Sequence, residues 1–193
     1  MEELQVFLLG VIQGLTEFLP VSSSGHIEIF KSVFNITFLK NQGLLLTLVL
    51  HFATALSTIW VFKKDILKIF INNTKQDNRF VLNIIISMIP AVFVGLFFEK
   101  QINYLFNSNI LLVGIMLLVT ATLLYKTDKI NPNFKSISLI NAFLIGMIQA
   151  FSILPGISRS GATIAMAVFL GIGKNEAARF SFLMVIPLIF GSM

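Results

Sequence analysis

Residues 43–62, 80–98 and 109–125 of this chain are mainly apolar, for about the 17–25 residues that a helix needs to cross a bilayer. His51, Asn83 and Pro90 interrupt the first two. Such breaks survive in a membrane when they face protein rather than lipid. A fourth apolar stretch begins near residue 176 and runs to Met193. Composition points the same way. Charged residues make up 12% of the 193, hydrophobic ones 56%, and mean hydropathy is +0.89, whereas a soluble domain carries about 25% charged residues. Too few charges remain to clothe a water-facing surface, so lipid is the expected solvent.

The charges that remain are ordered. Lys63, Lys64, Lys68, Lys75 and Arg79 fall in one loop, 63–79, and Lys126, Lys129 and Lys135 in another, 126–137. Two spans separate these loops, so they share a side. Positive-inside bias makes that side cytoplasmic and puts 31–42 and 99–108 outside. The net charge of +5 therefore reads as topology, and nucleic acid is not an expected partner. Without cysteine there is no disulfide, zinc–thiolate site or thiol nucleophile. The acidic start, Met1-Glu2-Glu3, lacks the basic region of a cleaved signal.

Four apolar pieces are too short to span alone. Residues 4–19 and 138–154 each run into Pro, Ser and Gly, and 26–35 and 162–173 follow those breaks. They read as helical hairpins that enter the membrane and return, sheltered by the full spans. The two hairpins are related. At an offset of 136, Gly10, Ile12, Gln13, Ser22, Ser24 and Gly25 meet Gly146, Ile148, Gln149, Ser158, Ser160 and Gly161, six identities in 17 positions. Three spans lie between the copies, and an odd number inverts the second. The expected fold is an all-α membrane protein with an inverted-topology repeat, its two re-entrant tips meeting near the midplane. Residues 1–135 form the first unit and 136–193 part of a second. A second unit as long as the first would run to near 272, about 80 residues past Met193, so the chain reads either as a fragment or as a shortened form.

The tips carry the chemistry. Gln13 and Glu17 are four apart and share a helix face. An ionisable Glu at membrane depth is costly and marks function. Ser22, Ser23, Ser24, Gly25 and His26 follow it. The second tip reads Pro155-Gly156-Ile157-Ser158-Arg159-Ser160-Gly161-Ala162-Thr163. Backbone N–H groups at a helix start favour anions, and Arg159 adds a fork that fits phosphate. Ser158, Ser160 and Thr163 offer further hydroxyls. A carboxylate, an imidazole, hydroxyls and a guanidinium suit hydrolysis of a phosphate ester or anhydride. Glu17 would act as base or hold a divalent cation, and Ser23 or His26 would attack or relay a proton. A transporter or lipid flippase is the competing reading, because inverted repeats and broken helices serve both. Transport alone has no need of the Ser/His/Arg set. A purely structural membrane subunit explains none of these polar residues. His51, inside a span, either packs or lines the cavity.

These motifs, with Ile89-Pro90-Ala91 and Phe180-Ser181-Phe182-Leu183, resemble those of undecaprenyl-diphosphate phosphatases of the bacitracin-resistance type over essentially the whole chain. The resemblance implies release of the terminal phosphate from a C55 polyprenyl diphosphate, yielding the lipid carrier for peptidoglycan synthesis. It implies a divalent cation (Mg or Ca), a multi-pass protein of the bacterial plasma membrane, and a site opening to the outer face. A homodimer is left open. By position, Gln13 and Glu17 match the carboxylate motif, Ser23 and His26 the catalytic pair, and Arg159 the phosphate-binding arginine. Gln13 stands where some members carry Glu, which weakens a two-carboxylate metal site. The nucleophile is left open between Ser23 and His26.

Overall fold

The structure is a computed structural model and describes residues 2–34, 36, 43–72, 74–98, 110–131 and 135–191. Among them it holds nine α-helices and no strand: α1 (Glu2–Phe18), α2 (Ser23–Val33), α3 (Gly43–Val61), α4 (Lys63–Asn72), α5 (Lys75–Phe97), α6 (Ile110–Asp128), α7 (Leu139–Phe151), α8 (Arg159–Phe169) and α9 (Lys174–Gly191). The short apolar pieces are helices paired across sharp turns, α1 with α2 and α7 with α8. Both α2 and α8 contain 11 residues, and their boundaries differ by the same offset of 136 that relates the sequences. Of the segments 31–42 and 99–108, expected outside the membrane, residues 35, 37–42 and 99–108 lie outside the described residues.

Two helices, α5 and α6, are long and apolar enough to cross a membrane. In α3 the corresponding apolar stretch among the described residues is Leu48–Val61, shorter than a full span. The surface is inverted relative to a water-soluble protein. Leu111, Ile115 and Leu118 of α6 point outward, Leu111 at 75% exposure and Leu118 at 68%, while Thr120 is 2% exposed. On α5 the buried residues are Asn83, Ser87, Pro90 and Ala91, which repeat at helical spacing on one face. Apolar outside and polar inside is the distribution a lipid solvent selects.

Aromatic residues mark one edge of the apolar belt. Trp60, at the end of α3, carries the Lys63 ammonium 3.9 Å above its ring. Tyr125, near the end of α6, carries that of Lys129 at 4.4 Å. Rings at headgroup depth with a cation on the watery side are a usual membrane-interface arrangement. At this same end Arg179 of α9 bonds Asp65 of α4 at 2.9 Å, and Lys174 meets Asp128 of α6 at 3.2 Å. The structure thus gathers the loops 63–79 and 126–137 together, as their charges predict.

One expectation needs correction. Residues 63–79 are not an irregular loop but mostly helix, α4 followed by the first turn of α5. Asp65 sits in the first turn of α4, where a negative charge complements the helix dipole. None of its residues is buried, and Leu67, Phe70 and Ile71 stay exposed among its lysines. A charged helix with an uncovered apolar side has a membrane surface as its natural partner. At the start of α5, Thr74 and Asp77 bond each other's backbone N–H groups, at 3.2 and 3.1 Å, so that the chain turns directly into the span.

The core joins α7, α8 and α9 around Ile145, Val168, Phe180 and Met184, all at most 1% exposed. Along α5, α7 makes the closest helix approach. A Cβ added to Gly146 would lie 2.3 Å from the Ser87 carbonyl oxygen. Gly146→Ala is therefore expected to force the two helices apart and lower stability by about 1–3 kcal/mol. Thermal unfolding in detergent reads this directly; an unchanged midpoint would refute the close packing.

Candidate active site

Two turns built on one plan face each other. After α1, Pro20 ends the helix by disfavouring helical geometry at Leu19. Ser22 then caps α2, its hydroxyl accepting from Gly25 N–H at 3.2 Å and lying 3.3 Å from Ser24 Oγ. After α7, Ser158 caps α8, accepting from Gly161 N–H at 3.1 Å with Ser160 Oγ at 3.3 Å. Further back, Thr16 donates to Ile12 O at 2.6 Å and Ser152 to Ile148 O at 2.7 Å. Every one of these bonds recurs at the 136-residue offset. The caps differ in backbone: Ser22 has φ 68°, in the left-handed region, and Ser158 has φ −73°.

Glycines let the turns touch. A Cβ on Gly25 would meet Gly156 Cα at 3.1 Å, and one on Gly161 would meet the Pro20 carbonyl at 2.9 Å. Each copy's glycine thus admits the other copy's backbone. Gly156 itself has φ +95°, and a Cβ there would fall 2.5 Å from Val113 O on α6.

Glu17 is the hub of this junction. One carboxylate oxygen, Oε1, accepts from Arg159 Nη2 at 2.6 Å, linking the copies through a bond 142 residues apart in sequence. The other, Oε2, accepts from Gln13 Nε2 at 2.9 Å and from the Ser23 hydroxyl. The Glu17 side chain is 9% exposed and that of Arg159 26%, so the guanidinium keeps an open side. On α3, His51 lies within electrostatic reach of Glu17. His26 sits at the start of α2 with Nδ1 2.8 Å from Ser22 O. A carbonyl can only accept, so Nδ1 bears the proton, and in the neutral ring Nε2 is the basic nitrogen.

The expected residues therefore divide. Gln13, Glu17, Ser23 and Arg159 come together in one hydrogen-bonded cluster. Ser22, Ser158, Gly25 and Gly161 shape the turns, with Ser24 and Ser160 beside the capping hydroxyls. Thr163 is fully buried; its hydroxyl bonds Arg159 O at 2.8 Å and Ser181 Oγ at 2.6 Å, steadying the first turn of α8 from within.

Sequence reasoning passed over Thr120. From inside the apolar α6, its hydroxyl accepts from Ser158 N–H at 3.0 Å and lies 3.3 Å from Gly156 O. It fixes the turn that presents Arg159. The signal in the sequence was faint: a hydroxyl amid apolar residues, which in a helix usually bonds only its own backbone.

Gln149, the counterpart of Gln13, shows where the copies part. Ile153 stands at the position of Glu17, so this amide lacks the carboxylate that Gln13 holds. It is 1% exposed, and neither its nitrogen nor its oxygen has a partner among the described residues. An unsatisfied buried polar group costs about 1–3 kcal/mol. Gln149→Met keeps the length and removes the polar atoms, and the variant is expected to be more stable by a comparable amount. A lowered melting midpoint would mean the amide has a partner.

Metal-ligating residues are sparse. Among the described residues no three of His, Cys, Asp or Glu gather to hold an ion, and both Glu17 oxygens are engaged. The site does not fit a cation caged by protein side chains.

Comparison with known proteins places these features. Residues 6–193 match the family described as Bacitracin resistance protein BacA. The chain is 57% identical to an undecaprenyl-diphosphatase of Christiangramia forsetii, across 100% of this chain and 75% of the relative. It is 48% identical to one of Bacteroides fragilis, across 99% and 73%. It is 44% identical to one of Methanococcus vannielii, across 96% and 75%.

Proposed function

The chain belongs to the bacitracin resistance protein BacA family, and from that premise we propose that it hydrolyses undecaprenyl diphosphate to undecaprenyl phosphate and phosphate. This recycles the lipid carrier of cell-wall synthesis and confers resistance to bacitracin. One observation carries the mechanism: the Glu17 carboxylate binds the Ser23 hydroxyl and the Arg159 guanidinium at once.

That arrangement pairs a nucleophile with its base beside a phosphate fork. Arg159 turns its free donors to the terminal phosphoryl oxygens, assisted by the N–H groups at the start of α8. Ser23 Oγ attacks the terminal phosphorus as Glu17 takes its proton. The bridging P–O bond breaks, and undecaprenyl phosphate leaves. Water then attacks the phosphoserine, phosphate departs, and Ser23 recovers its proton. The assignment of Ser23 over His26 rests on Glu17: Ser23 already donates to it, whereas His26 Nδ1 is committed to Ser22 O. His26 Nε2 is suited to shuttling a proton to or from the second-step water. We assign the divalent cation to the diphosphate, entering with the substrate's oxygens.

In this reading α3, α5, α6 and α9 span the bacterial plasma membrane. The helices α7, α2 and α8, of 13, 11 and 11 residues, fall short of the roughly 17–25 residues a crossing takes, and α1, of 17, only reaches its lower limit. They pair as re-entrant hairpins, inverted copies whose tips meet inside the membrane, with the site open to the outer face. Residues 1–135 supply one copy and 136–193 part of the other.

The test is phosphate release from undecaprenyl diphosphate by purified protein in detergent, with Mg or Ca. Release that stops on chelation and is saturable by substrate is expected. Binding of the lipid with no phosphate released under either metal would sink the hydrolase and favour a flippase.

A further inference from the structure

At the end of the molecule opposite the apolar halves of α5 and α7 lies a cleft of about 1210 Å³, between the α4–α5 corner, residues 130, 131 and 135–137, and the start of α9. Its cations are Lys68, Lys75, Arg79, Lys135, Lys174 and Arg179, against Asp77 and Glu176. Several are already engaged. Arg179 bonds Asp65 and Glu176, Lys174 bonds Asp128, and Asp77 is held by Thr74. Lys75, Arg79 and Lys135 form no ion pair among the described residues. Lys135 is held in place: its N–H donates to Gly171 O at 3.1 Å, and its stem crosses Gly171, where φ is +90° and a Cβ would lie 3.3 Å from Lys135 Cδ.

A second observation points to a ligand. Asn83 lines the cleft and is 2% exposed. Its Nδ2 donates to Ile137 O at 2.9 Å, which fixes the amide's orientation, and Oδ1 is buried without a partner among the described residues. The cleft thus offers positive charge for a phosphate and, deeper in, an acceptor awaiting a hydroxyl. Its position sets the source. Trp60 and Tyr125 with their lysines mark the interface at this end, and α4, whose Lys68 and Asn72 line the cleft, exposes Leu67, Phe70 and Ile71.

We propose that this cleft binds the headgroup of an anionic phospholipid bearing a free hydroxyl, with phosphatidylglycerol as the matching chemistry. Lys75, Arg79 and Lys135 hold the phosphate, and Asn83 Oδ1 accepts from the headgroup hydroxyl. Basic recesses at the ends of membrane helices commonly take such headgroups. The site is distinct from the Glu17–Arg159 cluster and stands whatever reaction that cluster performs.

The experiment is native mass spectrometry of the chain released from phosphatidylcholine nanodiscs containing phosphatidylglycerol. Retention of phosphatidylglycerol over phosphatidylcholine is expected. The triple variant Lys75→Gln, Arg79→Gln, Lys135→Gln is expected to bind it about a hundredfold more weakly, with phosphate release unchanged. Lys135→Gln alone, the mildest change, should weaken it about fivefold and guards against misfolding of the triple variant. Asn83→Leu should erase the preference for phosphatidylglycerol over phosphatidic acid, which lacks the hydroxyl. Equal retention by wild type and the charge variants would overturn the site. Equal stabilisation by glycerol 1-phosphate in solution would overturn its assignment to lipid.

Discussion

Arg159→Ala is expected to reduce phosphate release by about a thousandfold or more, in line with loss of a charged group that stabilises a transferring phosphoryl. Arg159 has two tasks, so two effects must be separated. It is the counter-ion of Glu17 at 2.6 Å, and removing one partner of a largely buried pair leaves the other charge uncompensated, at about 3–5 kcal/mol. In the proposed mechanism it also holds the phosphate. Arg159→Lys distinguishes these, because it keeps a charge for Glu17 but loses the planar fork. That variant should fold near normally and still lose most of its rate. Melting curves alongside initial rates make the comparison. A Lys variant with full activity would reduce Arg159 to a structural counter-ion.

The second large effect falls on Ser23. Ser23→Ala removes the attacking oxygen while leaving Glu17 bonded to Gln13 and Arg159, so the fold should hold and release should drop by about a thousandfold or more. Glu17→Gln keeps the shape but cannot take the proton, and a general base contributes about 10²–10⁴. Acid quenching during turnover with diphosphate labelled at the terminal phosphate should trap label on Ser23 in the wild type and none in Ser23→Ala. Label on His26, or a Ser23→Ala protein that keeps its rate while His26→Ala loses it, would transfer the nucleophile to the imidazole.

Much of this was legible in the sequence, for definite reasons. Burial in lipid leaves a coarse signal, long apolar runs with the charges swept into loops, so α5 and α6 and the grouping of the basic loops could be read directly. Pro20, and Ser22 and Ser158 followed three residues on by Gly25 and Gly161, state the turns through local chemistry. What escaped depends on partners remote in sequence. Thr120 matters through Ser158 and Gly156, 38 and 36 residues away, and a threonine in an apolar run does not announce them. Thr163 was read as a candidate hydroxyl, but its bond to Ser181, 18 residues away, was not legible. Helix α4 was missed because its charges fit a loop as well as an amphipathic helix, and ten residues give the period little room to show. Gln149 stood among the repeat identities, but its isolation follows from a difference, Ile153, that a search for likeness passes over.

The divergence of the copies bears on stoichiometry. In one register the first copy offers Glu17, Ser23 and His26 and the second Ile153, Arg159 and Ala162. The position that holds Ser23 in the first copy holds Arg159 in the second, so one tip cannot carry both groups at that position. In the proposed mechanism each tip therefore supplies what the other lacks, and the two like structures make one turnover site per chain.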